Sequence, residues 1–128
     1  MRPDDACPCG TGEPYQRCCL PLHLGERQAE TAVQLMRSRY SAYAVERFDY
    51  LWATWHPRTR PAEPASGSAP RWIGLEVIDV VDGQPGDETG EVEFKARFRE
   101  NQRTGTLHER SRFAVRARRW FYVDGESF

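Results

Sequence analysis

No cysteine follows residue 19, and no apolar run approaches the roughly 20 residues needed to cross a bilayer. The second absence predicts a protein with no membrane-spanning helix. Also missing are a glycine-rich phosphate loop, a nucleophile elbow and a His-Glu-x-x-His motif. Motif-borne nucleotide, acyl-transfer and metalloprotease chemistry therefore has no foothold. Net charge is small as well, formally -1 at neutral pH, so bulk attraction to nucleic acid is not expected. Behind Met1-Arg2-Pro3-Asp4-Asp5 lies no apolar segment, which predicts no signal peptide and a cytoplasmic location. In that reducing compartment, clustered cysteines bind metal more often than they pair as disulfides.

What the chain does have is concentrated at one end. All four cysteines lie in Cys7-Pro8-Cys9-Gly10-Thr11-Gly12-Glu13-Pro14-Tyr15-Gln16-Arg17-Cys18-Cys19. The Gly-Thr-Gly turn can fold Cys7 and Cys9 back onto Cys18 and Cys19. Four thiolates about 2.3 Å from one Zn²⁺ would make a closed tetrahedral site, structural in kind because no position is left for water. A metallated cluster would bring the net charge to about -3. The competing reading is a set of free or redox thiols. Adjacent cysteines and Cys-x-Cys pairs close disulfides poorly, and no Cys-x-x-Cys beside a βαβ pattern is present. His23 is the one nearby imidazole that could replace a sulfur. Zinc is the expectation.

The remaining chain, 128 residues in all, suffices for one core. Residues 1–24 read as a metal knuckle too poor in apolar surface to fold alone, with Tyr15, Leu20 and Leu22 available to dock it. Residues 25–128 read as the main domain. A helix is predicted from Glu26 or Thr31 to about Val45, with Ala32, Val33, Met36, Tyr40, Tyr43 and Ala44 as its apolar stripe. A shorter helix is predicted over Asp49–Trp55, capped by Asp49 and ended by Pro57. Pro57 to Pro70 reads as loop. From Trp72 the period changes to two, predicting strands over Trp72–Val81, Glu91–Arg99, Thr106–Arg116 and Trp120–Val123. Helices followed by a strand meander imply an α+β fold, helices packed on one face of a curved antiparallel sheet. Such a sheet commonly leaves a pocket at its mouth.

Candidate chemistry outside the knuckle centres on Leu107-His108-Glu109-Arg110-Ser111-Arg112-Phe113. Alternation sends Leu107, Glu109, Ser111, Phe113 and Val115 to one face, and its apolar members mark that face as buried. A buried carboxylate needs a partner. The plainer reading pairs Glu109 with an arginine of the first helix, such as Arg39; the sharper one makes Glu109 a pocket acid or base. A register slip would put it in water. Arg39, Tyr40, Tyr43, Trp55, His108, Glu109 and Ser111 form the candidate pocket set, although Tyr and Trp serve cores as readily as pockets. His56 and His108 read first as surface or hydrogen-bonded histidines. The stripe Arg110, Arg112, Arg116, Arg118, Arg119 reads as a solvated face balanced by Glu91 and Glu93, with RNA or an acidic partner as the alternative.

Two segments resemble known families. The Cys-x-Cys, eight-residue gap and Cys-Cys of the knuckle is similar to the SEC-C zinc motif, with Thr11 where serine is more usual. Leu35-Met36-Arg37-Ser38-Arg39-Tyr40-Ser41-Ala42-Tyr43, Tyr50-Leu51, Thr54-Trp55-His56-Pro57, His108 to Phe113 and Trp120-Phe121-Tyr122-Val123-Asp124-Gly125 resemble the bacterial YchJ-like family. That resemblance implies a nuclear transport factor 2-like cone and Cys7, Cys9, Cys18 and Cys19 as zinc ligands. It supplies no reaction, since the fold hosts isomerases, dehydratases and plain binding modules. For the knuckle it implies contact with a protein or ribosomal partner. The expectation is a non-catalytic zinc protein with a small-molecule pocket; the alternative is a small enzyme using Glu109 for proton transfer or hydrolysis. A homodimer through the open sheet face is left open.

Overall fold

The structure is a computed structural model that describes residues 2–64 and 70–128. Among them, no helix is long and apolar enough to cross a membrane. A single 3-10 turn, Tyr15–Arg17, and a short helix α1, Leu20–His23, close the cysteine segment. Helix α2 covers Ala32–Ala44, α3 covers Phe48–Ala53, and four strands follow: β1 Arg71–Asp82, β2 Thr89–Glu100, β3 Arg103–Arg116 and β4 Arg119–Ser127. They form one antiparallel meander in the order β1-β2-β3-β4. The α+β architecture is as the sequence indicates.

Helix α2 starts where its chemistry allows. Thr31 Oγ1 accepts from the Gln34 amide at 3.1 Å, satisfying one of the free N–H groups of the first turn. The Ala32 amide donates to Gly83 O at 2.9 Å, which ties the helix start to the β1–β2 turn. A Cβ on Gly83 would stand 2.6 Å from the Ala32 methyl, so the approach needs glycine. Of the expected stripe, Ala32, Met36 and Tyr40 are buried, Val33 and Ala44 half-buried and Tyr43 exposed, whereas Leu35, Ser38, Arg39, Ser41 and Ala42 are buried too. A helix with the sheet on one side and the knuckle and α3 on the other keeps only a narrow free face. Binary patterning underestimates such a helix because its polar residues are hydrogen-bonded rather than solvated.

Three boundaries differ from expectation. Helix α3 begins at Phe48 behind Arg47, so Asp49 lies in its first turn and caps nothing. Trp55 has left the helix: the His56 amide donates to Tyr122 O at 2.7 Å and the Tyr122 amide to Thr54 O at 2.9 Å, splicing this segment to β4. Strand β4 continues to Ser127, because Asp124-Gly125 pairs with β3 instead of turning. The expected loop runs irregularly from Pro57 to Pro64; its residues 65–69 lie outside the described residues.

Irregular pairing shapes the sheet. Register shifts occur at Trp72/Gly74 and Val77/Asp79 in β1 and at Arg112/Phe113 in the β3–β4 ladder, and such irregularities locally bend and twist strands. The β2–β3 and β3–β4 connections are two-residue turns, Asn101-Gln102 and Ala117-Arg118, all four residues having positive φ. That backbone twist matches the twist of the strands. Ala32, Leu35, Met36, Val92, Phe113 and Trp120 form one buried cluster. Cys7, Cys9, Tyr15, Cys19, Tyr40 and Ala96 form another, in which the knuckle and the cone share a core.

Candidate functional site

Gly10 and Gly12, both at φ +86°, turn the chain between the cysteine pairs. The Cys7 amide donates to Glu13 O at 2.8 Å and the Gly10 amide to Cys7 O at 3.2 Å. The turn brings all four sulfurs within 4.8 Å of one another. Cys9 and Cys18 Sγ are 3.5 Å apart, Cys18 and Cys19 Sγ 3.9 Å. A regular tetrahedron with 2.3 Å metal–sulfur bonds has edges of about 3.8 Å, so the thiols fit one tetrahedral metal ion. They are unbonded to each other.

Proton sharing expresses the same crowding. S–H groups of Cys19 and Cys7 donating to Cys9 push its pKa far down. Burial raises Cys18 to about 11, and the hydrogen bond with Cys7 pushes Cys19 far up. Four thiolates could share this volume only with a cation between them, and the cluster could hold a metal ion there. Cys7, Cys9 and Cys19 are buried and Cys18 is half-buried. The site is closed.

Hydroxyls and helix α2 complete it. Ser41 Oγ, fully buried, donates to Cys19 Sγ at 3.3 Å and lies 3.4 Å from Cys7 Sγ. Thr11 Oγ1 lies 3.2 Å from Cys18 Sγ, a contact serine could also make. Arg37 Nη1 donates to Cys9 O at 2.6 Å. Sequence reasoning missed Ser41 and Arg37 because nothing in a helical pattern marks a serine as facing sulfur. His23 is not a ligand. Its ring lies between Tyr15 OH (2.6 Å from Nδ1) and Ser38 O (2.8 Å from Nε2). A carbonyl only accepts, so Nε2 carries the proton and Nδ1 accepts from Tyr15, whose oxygen accepts from Arg47 Nε at 3.2 Å.

The second site is a cavity of about 230 Å³ between α2 and the sheet. Arg39, Tyr40, Tyr43, Glu109 and Ser111 of the expected set all line it, as do Met36, Trp72, Phe94 and Tyr122. Two expected residues do not. His108 faces the opposite side of β3, where Nε2 meets Glu93 Oε2 at 2.8 Å; strand alternation that turns Glu109 inward must turn its neighbour outward. Trp55 stands behind the cavity, edge-on to the Tyr122 ring at 5.4 Å and 5.7 Å from the Arg39 guanidinium carbon.

The expected Glu109–Arg39 ion pair is absent among the described residues. Glu109 Oε1 instead accepts from Ser111 Oγ at 2.7 Å and Tyr122 OH at 3.4 Å. Burial, followed by the Glu109 charge, raises Tyr122 to about 12, so its hydroxyl stays a donor. Gly125, opposite Ser111 on β4, leaves the space that the Glu109 carboxylate occupies. Arg39 Nη1 donates to Leu51 O and Thr54 Oγ1, both at 2.7 Å, and the guanidinium lies 4.6 Å from the Tyr122 ring centroid. Burial lowers its pKa from 12.5, although the nearby Tyr43, Tyr122 and Tyr50 hydroxyls and the Glu109 carboxylate partly compensate. Two of the five stripe arginines are paired on the outer face: Arg110 with Asp79, Glu91 and Glu93, and Arg112 with Asp124 and Glu126; among the described residues Arg116, Arg118 and Arg119 make no ion pair.

Comparison with known proteins matches residues 31–125 to the family described as YchJ, middle NTF2-like domain. The chain belongs to the YchJ family. Residues 5–21 match the SEC-C motif. A UPF0225 protein of Streptomyces coelicolor is 48% identical over 124 residues, spanning 97% of each chain. One of Bordetella parapertussis is 46% identical over 94% of this chain and 92% of its own. The solution structure of a SEC-C motif containing protein from Rhodopseudomonas palustris aligns with a TM-score of 0.82 at 34% identity, covering 97% of this chain and 99% of that one. The crystal structure of a SEC-C motif containing protein from Psychrobacter arcticus aligns at 0.75 and 27% identity, covering 95% and 82%. In this YchJ-family chain the SEC-C cysteines are those of the sulfur cluster.

Proposed function

We propose that the protein is a non-catalytic binding module in which the four cysteines hold one structural Zn²⁺ and the cone cavity takes a small ligand. The observation that carries this reading is the separation of the two sites: no cysteine is among the residues lining the cavity. A metal ion saturated by four sulfurs and outside the cavity organises structure instead of activating a ligand. The thiols call for a reducing compartment, the cytoplasm. The exposed knuckle residues Gly10, Thr11, Gly12, Glu13 and Arg17 offer a protein or ribosomal partner a surface beside the metal. Cobalt substitution tests the closed site. Co²⁺ in the full chain should give the spectrum of a tetrahedral four-thiolate ion, unchanged by azide. A five-coordinate spectrum, or one that azide alters, would give the metal an open position and end this reading.

One observation favours an enzymatic reading. Glu109 lines the cavity with no cationic partner within salt-bridge distance among the described residues. Its carboxylate would accept a proton from a bound ligand. Deuterium exchange from D₂O into enolisable 2-oxo acids examines this directly. Exchange by the wild type that Glu109→Gln abolishes would support it; equal rates in both would dismiss it.

A further inference from the structure

Wall and floor of the cavity differ in chemistry. Tyr40, Tyr43, Trp72, Phe94 and Phe113 present rings, whereas Arg39, Glu109 and Ser111 present polar groups. The Glu109 carboxylate is already oriented by Ser111 and Tyr122. Arg39 is only 6% exposed and only its Nη1 is used, so among the described residues Nε and Nη2 have no hydrogen-bond partner. No carboxylate lies within 4.0 Å of that guanidinium, whereas Arg110 and Arg112 on the surface are both paired. On the wall, Trp72 Nε1 is buried without a hydrogen-bond partner. A fully buried donor left without a partner costs about 1–3 kcal/mol, which applies to Trp72 Nε1. An occupant that brings acceptors to this floor would pair the Arg39 N–H groups that the protein itself leaves open.

Arg39 and Glu109 are both placed by Tyr122. The guanidinium lies over the ring face, and the carboxylate sits at the phenol oxygen. A molecule joining them spans roughly the length of one aromatic ring. The volume, about 230 Å³, falls below the range of about 300–1,000 Å³ that holds drug-sized ligands, so the occupant is small.

We infer that the cavity binds a small carboxylic acid with an apolar, ring-sized body and a hydrogen-bond donor at its far end. The carboxylate takes the free N–H groups of Arg39, and the donor, a hydroxyl or amine, faces Glu109. A guanidinium suits a carboxylate through paired N–H groups in a way an ammonium does not. A compact dianion such as phosphate is disfavoured, since Glu109 already places a negative charge in the same cavity. The aromatic wall then covers the body of the ligand. This inference rests on the ligand-binding reading above.

The test is titration calorimetry on the metal-loaded full chain with 4-hydroxybenzoate, 4-hydroxybenzamide and benzoate. The hydroxy acid should bind saturably, its amide at least about tenfold more weakly and benzoate several-fold more weakly. Arg39→Lys should weaken the hydroxy acid by about tenfold, with a melting curve confirming the fold. Because Arg39 also holds Leu51 O and Thr54, Ala96→Leu provides an independent check by filling the cavity from β2, and should abolish binding. Equal affinity for acid and amide would overturn the carboxylate assignment while leaving a ligand pocket in place. Undiminished binding to Ala96→Leu would overturn the site. No saturable binding by any of the three up to about 10 mM would overturn both this inference and the reading beneath it.

Discussion

At the scale of single residues, Gly125 and His23 carry the most consequence for their size. A methyl on Gly125 would collide with the Glu109 carboxylate, so Gly125→Ala should destabilise by about 1–3 kcal/mol, as overpacking does. The cost should largely vanish in the Glu109→Ala background, and denaturant melts of the four proteins measure that coupling. Equal costs in both backgrounds would mean that the carboxylate does not lie over β4. His23 predicts a pH effect. Burial, assisted by Arg47, lowers its pKa below 6.5, so the unfolded chain binds this proton more tightly. The stability it confers is complete above pH about 6.5 and declines as the pH falls below that value. His23→Gln retains an N–H for Ser38 O and an acceptor for Tyr15. The stability difference between wild type and variant, followed from pH 8 to pH 5 as about the working range, should therefore change in the variant's favour on acidification. A constant difference would remove His23 as the titrating group.

Among elements, the β3–β4 turn has a local defect. Ala117 holds φ 51°, a left-handed conformation that costs a non-glycine residue roughly 1–2 kcal/mol. Ala117→Gly should raise stability by up to about 1 kcal/mol, partly offset by its greater freedom in the unfolded chain; a lower melting temperature would contradict the turn geometry. Much at this scale was legible beforehand. Alternation over Val92, Phe94, Ala96 and Phe98 identifies β2 because one face is apolar, and of the two expected starts of α2, Glu26 and Thr31, the structure uses Thr31. Helix ends and strand continuations were less accessible. Asp124-Gly125 has turn chemistry, yet pairs with β3, and the Glu109 carboxylate fills the space that Gly125 leaves. His108 and Glu109 are adjacent in sequence, but adjacent strand residues face opposite ways, which takes His108 out of the cavity. The cysteines needed no such context, since four thiols in 13 residues can reach one point by local turns alone.

For the whole molecule, the knuckle is part of the core. Cys7, Cys9, Tyr15 and Cys19 share a buried cluster with Tyr40 and Ala96, and Tyr40 and Ala96 also line the cavity. Loss of metal should therefore reach the cone. Cys18→Ser should lower the melting temperature of the entire chain in a single transition, because the remaining sulfurs are left crowded against Tyr40. Two transitions, with the cone melting as before, would make residues 1–24 a separate appendage. The central claim is that the four cysteines hold one zinc ion, and elemental analysis of chain purified without chelator tests it most directly. The account predicts about one zinc per chain, released when the thiols are modified. A chain carrying no zinc, with four freely titrating thiols, would contradict it.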